Sequence, residues 1–337
     1  MIISDYLCKQ LAVHPSIQAQ DVIKLCFQAA FGAEHLLGDI GQVRGYFDAE
    51  YERVEARNGP VAEFICEDVC RVNLAAWKMR KLPADWLFNL FVQSAKMPMK
   101  KAEDRFRDYI AQAEALNNEW GGFFRDYHKD GIKPVHHSQL YKENEHPAYR
   151  VISGQYVRLI PIFNDMKELP KVIAIDGRAA SGKTTMASQL AEVTGAGVVH
   201  MDDFFLPKEL RTPERFAQSG GNIHHERFSH EVLPFLHSGE AFGYGIFDCN
   251  VMDINKTREV IQSPLQIVEG AYSCHPVLGG YMDMRIFSDI SPDEQIKRVE
   301  VRNGPEIAMV YATRWIPMEE AYLQAYRVKD SADVVVS

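Results

Sequence analysis

The sequence predicts two unlike halves: a separate, mainly α-helical domain over residues 1–165, then an α/β domain over residues 166–337. The second is expected as a three-layer αβα sandwich around a parallel sheet. Three observations predict this. Up to about residue 165, apolar residues recur at helical spacing. Beyond it, short apolar runs alternate with helical segments. Between the first such run and the first such helix stands a glycine-rich turn. A chain of 337 residues has room for about two domains.

In the first half, Val22, Ile23, Cys26, Phe27, Ala30 and Phe31 lie on one helical face, and Gly32 is placed to end the helix. Similar runs predict helices over Gly41–Ala56, Ile65–Met79, Pro83–Lys96 and Lys100–Leu116. The stretch Tyr149–Phe163 is richer in β-branched residues and reads as extended, and Pro161 and Pro170 bracket a linker. In the second half KVIAID, GVVHM, LQIVEG, MRIFSDI and ADVVVS read as buried strands of a parallel sheet. GKTTMASQLAEVTG reads as a helix. Ser291, Pro292 and Glu294 mark the start of another, with a capping box and proline at the first helical position.

Composition narrows the class. With 46% hydrophobic and 25% charged residues this is an ordinary globular chain, and its net charge of −9 argues against a protein that coats nucleic acid. MIISDYLCKQLAVH carries no basic leader with an apolar run, and no stretch of about 18 apolar residues occurs, so neither a signal peptide nor a membrane span is expected. Cys8, Cys26, Cys66, Cys70, Cys249 and Cys274 form no CxxC pair. Cys66 and Cys70, four apart, would share a helix face. Buried, reduced thiols and a cytoplasmic location are expected.

The segment Gly177–Thr184, GRAASGKT, matches GxxxxGK[ST] and follows a strand into a helix. Glycines let successive amides converge on phosphate oxygens, and the helix start adds free N–H groups. Gly177, Ala179, Ala180, Ser181, Gly182, Lys183, Thr184 and Thr185 are therefore expected to hold ATP. Lys183 would reach the β- and γ-phosphates and Thr184 would ligate Mg2+. The fold class is then a P-loop NTPase. NKTR, at Asn255–Arg258, lacks the aspartate of a guanine motif, and LQIVEG ends in Glu269-Gly270, which argues against GTPases and motors. HMDDFFLP sets Asp202 and Asp203 at a strand's C-terminal end, where open α/β sheets bind ligands. One of the pair would take a hydroxyl proton or hold Mg2+.

GRAASGKTT, MDDFF, GGNIHHERF, YGIFDC, IVEGAY and QIKRVEVRNG, in this order, resemble the uridine kinase and phosphoribulokinase family of P-loop kinases. The resemblance covers about 170 residues. It implies an ATP-dependent phosphotransferase acting on a small-molecule hydroxyl. It implies Asp202 as base, Glu269 as a residue that organises Mg2+ with Thr184 and Asp202, and Arg298 and Arg302 as arginines closing over the phosphates, with Arg314 a further one. Asp203, His224, Phe247, Asp248 and Tyr272 are expected to line the acceptor pocket. Two positions depart from the family: His224 stands where it has an acidic residue, and Met252 where it has a histidine. Uridine is thereby disfavoured, and pantothenate, a sugar or another nucleoside stay open as acceptors. So does a nucleotide-binding sensor with little turnover. Neither nucleic acid nor membrane is expected as a partner, and a homo-oligomer stays open.

The first half resembles the helical extension fused to some bacterial uridine kinase-like proteins. Two strings stand out in it. One is FGAEHLLGD, with Glu34, His35 and Asp39. The other is HHSQLYKENEHPAYRV, with His136, His137, Ser138, Tyr141, His146, Tyr149 and Arg150. They read either as a metal or phosphate site or as capped helix ends with hydrogen-bonded histidines at a domain interface.

Overall fold

The structure, a computed structural model, describes residues 3–249 and 251–337. The first two residues of MIISDYLCKQLAVH and one position of the GIFDCNVMD hairpin lie outside them. The chain forms two compact units, Met1–Ile160 and Pro161–Ser337.

In the first unit the helix Ala19–Phe31 buries Val22, Ile23, Cys26, Phe27 and Ala30 and ends at Gly32, whose φ of 61° suits glycine. Asp39 caps the helix Ile40–Arg53 by accepting from the Gln42 N–H, and the helices Ala84–Ala95 and Ala102–Leu116 follow. The expected helix over Ile65–Met79 is largely a hairpin. β1 (Ala62–Cys66) and β2 (Val69–Asn73) pair antiparallel, and only Leu74–Met79 is helical. The reason is local. Ile65, Val69 and Val72 are β-branched, Glu67-Asp68 supplies the turn, and Val69–Val72 are buried on both faces, so their apolar run has no period to separate strand from helix. Cys66 and Cys70 therefore sit on neighbouring strands. β3 (Tyr149–Ser153) pairs with β2, completing a three-stranded sheet; the rest of the stretch thought extended is a 3-10 turn, Gly154–Leu159, and a helix, Ile160–Asp165. Pro161 thus lies in the first turn of a helix, where its missing N–H costs nothing.

The second unit is a three-layer αβα fold. Its five parallel strands run in the order β10 (Val334–Val336), β9 (Met284–Ser288), β4 (Val172–Gly177), β8 (Gln266–Glu269), β5 (Gly197–His200). All six residues of β4 and all four of β8 are buried, which explains the unbroken apolar runs. The core joins Val172, Ala174, Val199, Val268 and Phe287 to Phe204, Phe228, Tyr244 and Tyr322. An antiparallel hairpin, β6 (Phe242–Asp248) and β7 (Asp253–Val260), stands outside the main sheet. Ser291 caps the helix Pro292–Asn303 as its sequence indicates. Among the described residues no helix is long and apolar enough to cross a membrane. All six cysteines are free; Cys26, Cys66 and Cys70 are buried, whereas Cys8 and Cys249 are exposed.

Candidate functional site

β4 ends in the glycine loop. A Cβ on Gly177 would come within 2.1 Å of the Ser288 carbonyl oxygen, and its φ of 132° also demands glycine. Ala180 and Gly182 take positive φ as well, which turns the loop before the helix Lys183–Thr194. Lys183 is buried and donates to the Gly177 and Arg178 carbonyl oxygens, both at 2.8 Å. The Ser181 hydroxyl is buried without a partner among the described residues. Thr185 is exposed on the helix start beside Thr184. An orphan hydroxyl, a glycine cradle and an ammonium fit a polyphosphate.

Strand ends bring the acidic groups to the loop. Glu269, closing β8, accepts the Thr184 hydroxyl at 3.2 Å and bonds His200 Nδ1 at 2.5 Å. Asp202 lies in the 3-10 turn Met201–Phe204 after β5. The residue keeps open solvent area although protein surrounds it closely, and among the described residues no hydrogen bond holds it. That crowding and the charges of Glu269 and Asp203 push its acid up from the usual carboxylate range, against the pull of Lys183. Thr184, Glu269 and Asp202 offer one hydroxyl and two carboxylates, a hard oxygen set of the kind magnesium accepts beside substrate phosphates.

Asp203, expected in the acceptor pocket, is tied into the fold on two sides. It is buried, and its Oδ2 accepts from Tyr244 at 3.0 Å and from Arg258 Nε at 2.9 Å, which ties the turn to the β6–β7 hairpin. His224 N–H donates to the Phe204 carbonyl at 2.7 Å, and its Nδ1 is buried without a partner. Burial lowers its imidazole, so the ring is neutral near pH 7. Arg215 clamps this loop by donating to the Gly221 and Ile223 carbonyls, each at 2.9 Å. Phe247 is buried under the Arg211 guanidinium, 5.8 Å from its ring centre. Asp248 accepts from Asn255 at 3.2 Å, and the field of Asp202, Asp248 and Arg211 meets at Cys249. Tyr272 is buried, with Asp202 in electrostatic reach.

Arg298 is half exposed; it pairs with Glu294 and extends Nη1 to the Ala180 carbonyl of the loop at 3.4 Å. Arg302 is exposed, bonds Asn303 and neighbours Tyr311, which also feels Asp202. Arg314 stacks on Trp315 and Phe216 instead.

Four site residues escaped the sequence reading. Asp176, fully buried at the end of β4, accepts from the Gly177, Tyr272 and Cys274 amides and, at 2.6 Å, from the Tyr322 hydroxyl. Glu319 Oε1 accepts from the Ala179 N–H of the loop at 2.8 Å and from Gln295 at 3.3 Å. Burial raises Glu319 to about 7, despite Lys183. Arg178 is held by Asp289 and by Glu320, and His200 orients Glu269. Their only signal was position: Asp176 ends KVIAID, His200 opens HMDDFFLP, and Glu319-Glu320 lies within RWIPMEEAY.

Among the described residues no group of three or more His, Cys, Asp and Glu is placed to hold a metal. His35 packs edge-on against Phe27 at 4.7 Å and is pushed by burial to about 4. His137 has both ring nitrogens engaged, by Asp21 at 2.9 Å and Tyr149 at 2.7 Å. Arg150 pairs with Glu50 at 2.7 Å.

A strand, a glycine loop and a helix opened by lysine and threonine, set at the centre of a parallel sheet with carboxylates at neighbouring strand ends, define a P-loop nucleotide-binding domain. No family model matches the chain. A uridine kinase of Chlamydia pneumoniae is 28% identical over 184 residues, half of this chain and 82% of that protein. Uridine kinase-like protein 4 of Arabidopsis thaliana is 27% identical over 164 residues, 43% of this chain and 34% of that one. Among solved structures, a possible uridine kinase from Bacillus stearothermophilus covers 49% of this chain at 24% identity, with a TM-score of 0.39. Over about half of its length this chain is thus similar to uridine kinases.

Proposed function

We propose that this domain transfers the γ-phosphate of ATP, with Mg2+, to a hydroxyl group of a small molecule. The observation that carries the reading is the convergence of Lys183, Thr184, Glu269 and Asp202 at the ends of β4, β8 and β5. The loop amides and Lys183 hold the phosphates, once the ammonium leaves the Gly177 and Arg178 carbonyls. Thr184, Glu269 and Asp202 hold the metal, whose part is to neutralise charge on the phosphate oxygens. Asp202, with no hydrogen bond to hold it, takes the acceptor's proton, and Arg298 and Arg302 close over the loop. Phosphoryl transfer asks chiefly for such positioning and charge neutralisation.

Phe247, Asp248, Tyr272 and His224 form the acceptor side. The acidic balance and the free thiols suit a small-molecule enzyme of a reducing compartment, the cytoplasm, rather than a nucleic-acid or membrane protein. The test is ADP release from Mg–ATP with and without a panel of small alcohols: nucleosides, sugars and pantothenate. Release that rises with one class of alcohol supports the reading. Release that no alcohol accelerates overturns it in favour of a nucleotide-binding sensor.

A further inference from the structure

One helix holds the start of the glycine loop at three successive places. Along Asp176, Arg178 and Ala179 the partners run backwards through the helix Ile316–Ala325. The Tyr322 hydroxyl donates to Asp176 at 2.6 Å, Arg178 pairs with Glu320 at 2.6 Å, and the Ala179 N–H donates to Glu319 at 2.8 Å. A loop suited to a polyanion is thus bordered by carboxyl groups, and two of them, Asp176 and Glu319, are buried. Phosphate charge entering the loop adds to theirs at short range and away from water.

The two buried carboxyls differ in how they can respond. Asp176 accepts from the Gly177, Tyr272 and Cys274 amides and the Tyr322 hydroxyl, a set of donors across both oxygens that suits the ionised form. Glu319 accepts from Ala179 and, at 3.3 Å, from Gln295, both at Oε1. Oε2 accepts no bond among the described residues, so it has room for a proton while the loop contact stays whole. The charged groups facing Glu319 are Lys183 at the start of the helix Lys183–Thr194, Asp176 at the end of β4 and its own neighbour Glu320. The Tyr272 and Tyr311 hydroxyls lie in its field, and Gln295, from the helix Pro292–Asn303, is a neutral donor. Burial outweighs Lys183 and lifts Glu319 to about 7.

We propose that Glu319 is a positioning residue of the loop that couples nucleotide binding to the uptake of a proton. Phosphate charge arriving beside Ala179 and Lys183 draws a proton from solvent onto Oε2, while Oε1 keeps the Ala179 N–H and holds the loop in place. By linkage, nucleotide then binds more tightly to the protonated protein, so affinity is level below about pH 7 and falls above it. The inference rests on the nucleotide reading of the loop and is independent of which hydroxyl receives the phosphate.

The test is calorimetric titration of the full chain with Mg–ATP, in the absence of any alcohol, at pH 8 in two buffers of different ionisation enthalpy, which counts the protons taken up. Wild type is expected to take up at least about half a proton more per nucleotide than Glu319→Gln, which keeps the acceptor for Ala179 without the charge. The dissociation constant of wild type should rise about threefold or more between pH 7 and pH 8.5, with a smaller rise in Glu319→Gln, which should bind the more tightly of the two at pH 8.5. A side chain that only shaped the loop would leave the variant with equal or weaker binding. Equal proton uptake in the two proteins, or a variant that binds no more tightly than wild type at pH 8.5, would overturn the proposal and leave the nucleotide site standing. No binding of Mg–ATP by either protein would overturn both. Where Glu319→Gln fails to fold, Glu319→Ala gives the same comparison of proton uptake, with the same outcomes.

Discussion

Lys183 rests on the Gly177 and Arg178 carbonyls, 2.8 Å from each, so its charge is already positioned over the loop before any phosphate arrives. Lys183→Ala removes that cation from a closely surrounded site. A fall in kcat for ADP release of about 10²-fold or more is expected, with the circular dichroism spectrum unchanged. Turnover equal to wild type would remove Lys183 from the mechanism. The two adjacent aspartates separate by a different pair of readouts. Asp202 has no hydrogen bond among the described residues and its charge is disfavoured in the fold, so Asp202→Asn should lower kcat by about 10²-fold while leaving the denaturation midpoint in place or raising it. Asp203 joins Tyr244 and Arg258, so Asp203→Asn should cost stability of about 1–3 kcal/mol. If Asp203→Asn leaves stability unchanged and abolishes turnover, the assignment of the pair is reversed.

Elements show where the sequence was readable and where it was not. β4, the loop and the helix Lys183–Thr194 were legible because strand, glycines and helix start each have their own local signature. β1 and β2 were not: β2, buried on both faces, loses its alternation, and β1 sets two exposed residues before two buried ones instead of alternating. Glu319 was missed for a related reason: only the packing of the helix Ile316–Ala325 brings its carboxylate to Ala179, some 140 residues away in the chain. That contact has a pH signature. Glu319 is raised from 4.5 to about 7 in the fold, with Lys183, Asp176 and Glu320 as its charged neighbours. The folded state then holds a proton that the unfolded chain releases, so the contribution is fully present below about pH 4.5. It declines as pH rises toward 7, by an amount on the order of a few kcal/mol. Denaturant titrations at pH 5 and pH 7.5 should show wild type losing more stability than Glu319→Gln across that interval. Parallel losses in the two proteins would show that Glu319 is not protonated in the fold.

For the molecule as a whole the proposed function leaves open which alcohol would be the acceptor. Phe247 and Asp248 of the hairpin, Tyr272 after β8 and His224 before the helix His225–Glu231 come from three distant stretches of chain. Candidates for an acceptor side therefore come only from resemblance, whereas the glycine loop is read from one contiguous motif. A ribose diol is best met by a carboxylate, which accepts from both hydroxyls at once. Here burial pulls the imidazole of His224 down and so favours the neutral ring, whose buried Nδ1 supplies at most a single acceptor. Met252, in the hairpin turn at a φ of 59°, offers a uracil edge no more than a thioether. A polar pocket that lacks its partners loses its power to select the group they would bind. Uridine is therefore expected to be a poor substrate relative to another alcohol of the panel, with kcat/KM below about 10⁴ M⁻¹s⁻¹, the low end of the usual enzyme range. His224→Asp would place a carboxylate where the diol needs one and should raise uridine turnover more than that of an acceptor without a diol. Uridine turned over by the wild-type chain above that limit, with His224→Asp bringing no gain, would show that Asp248 or another group already holds the ribose.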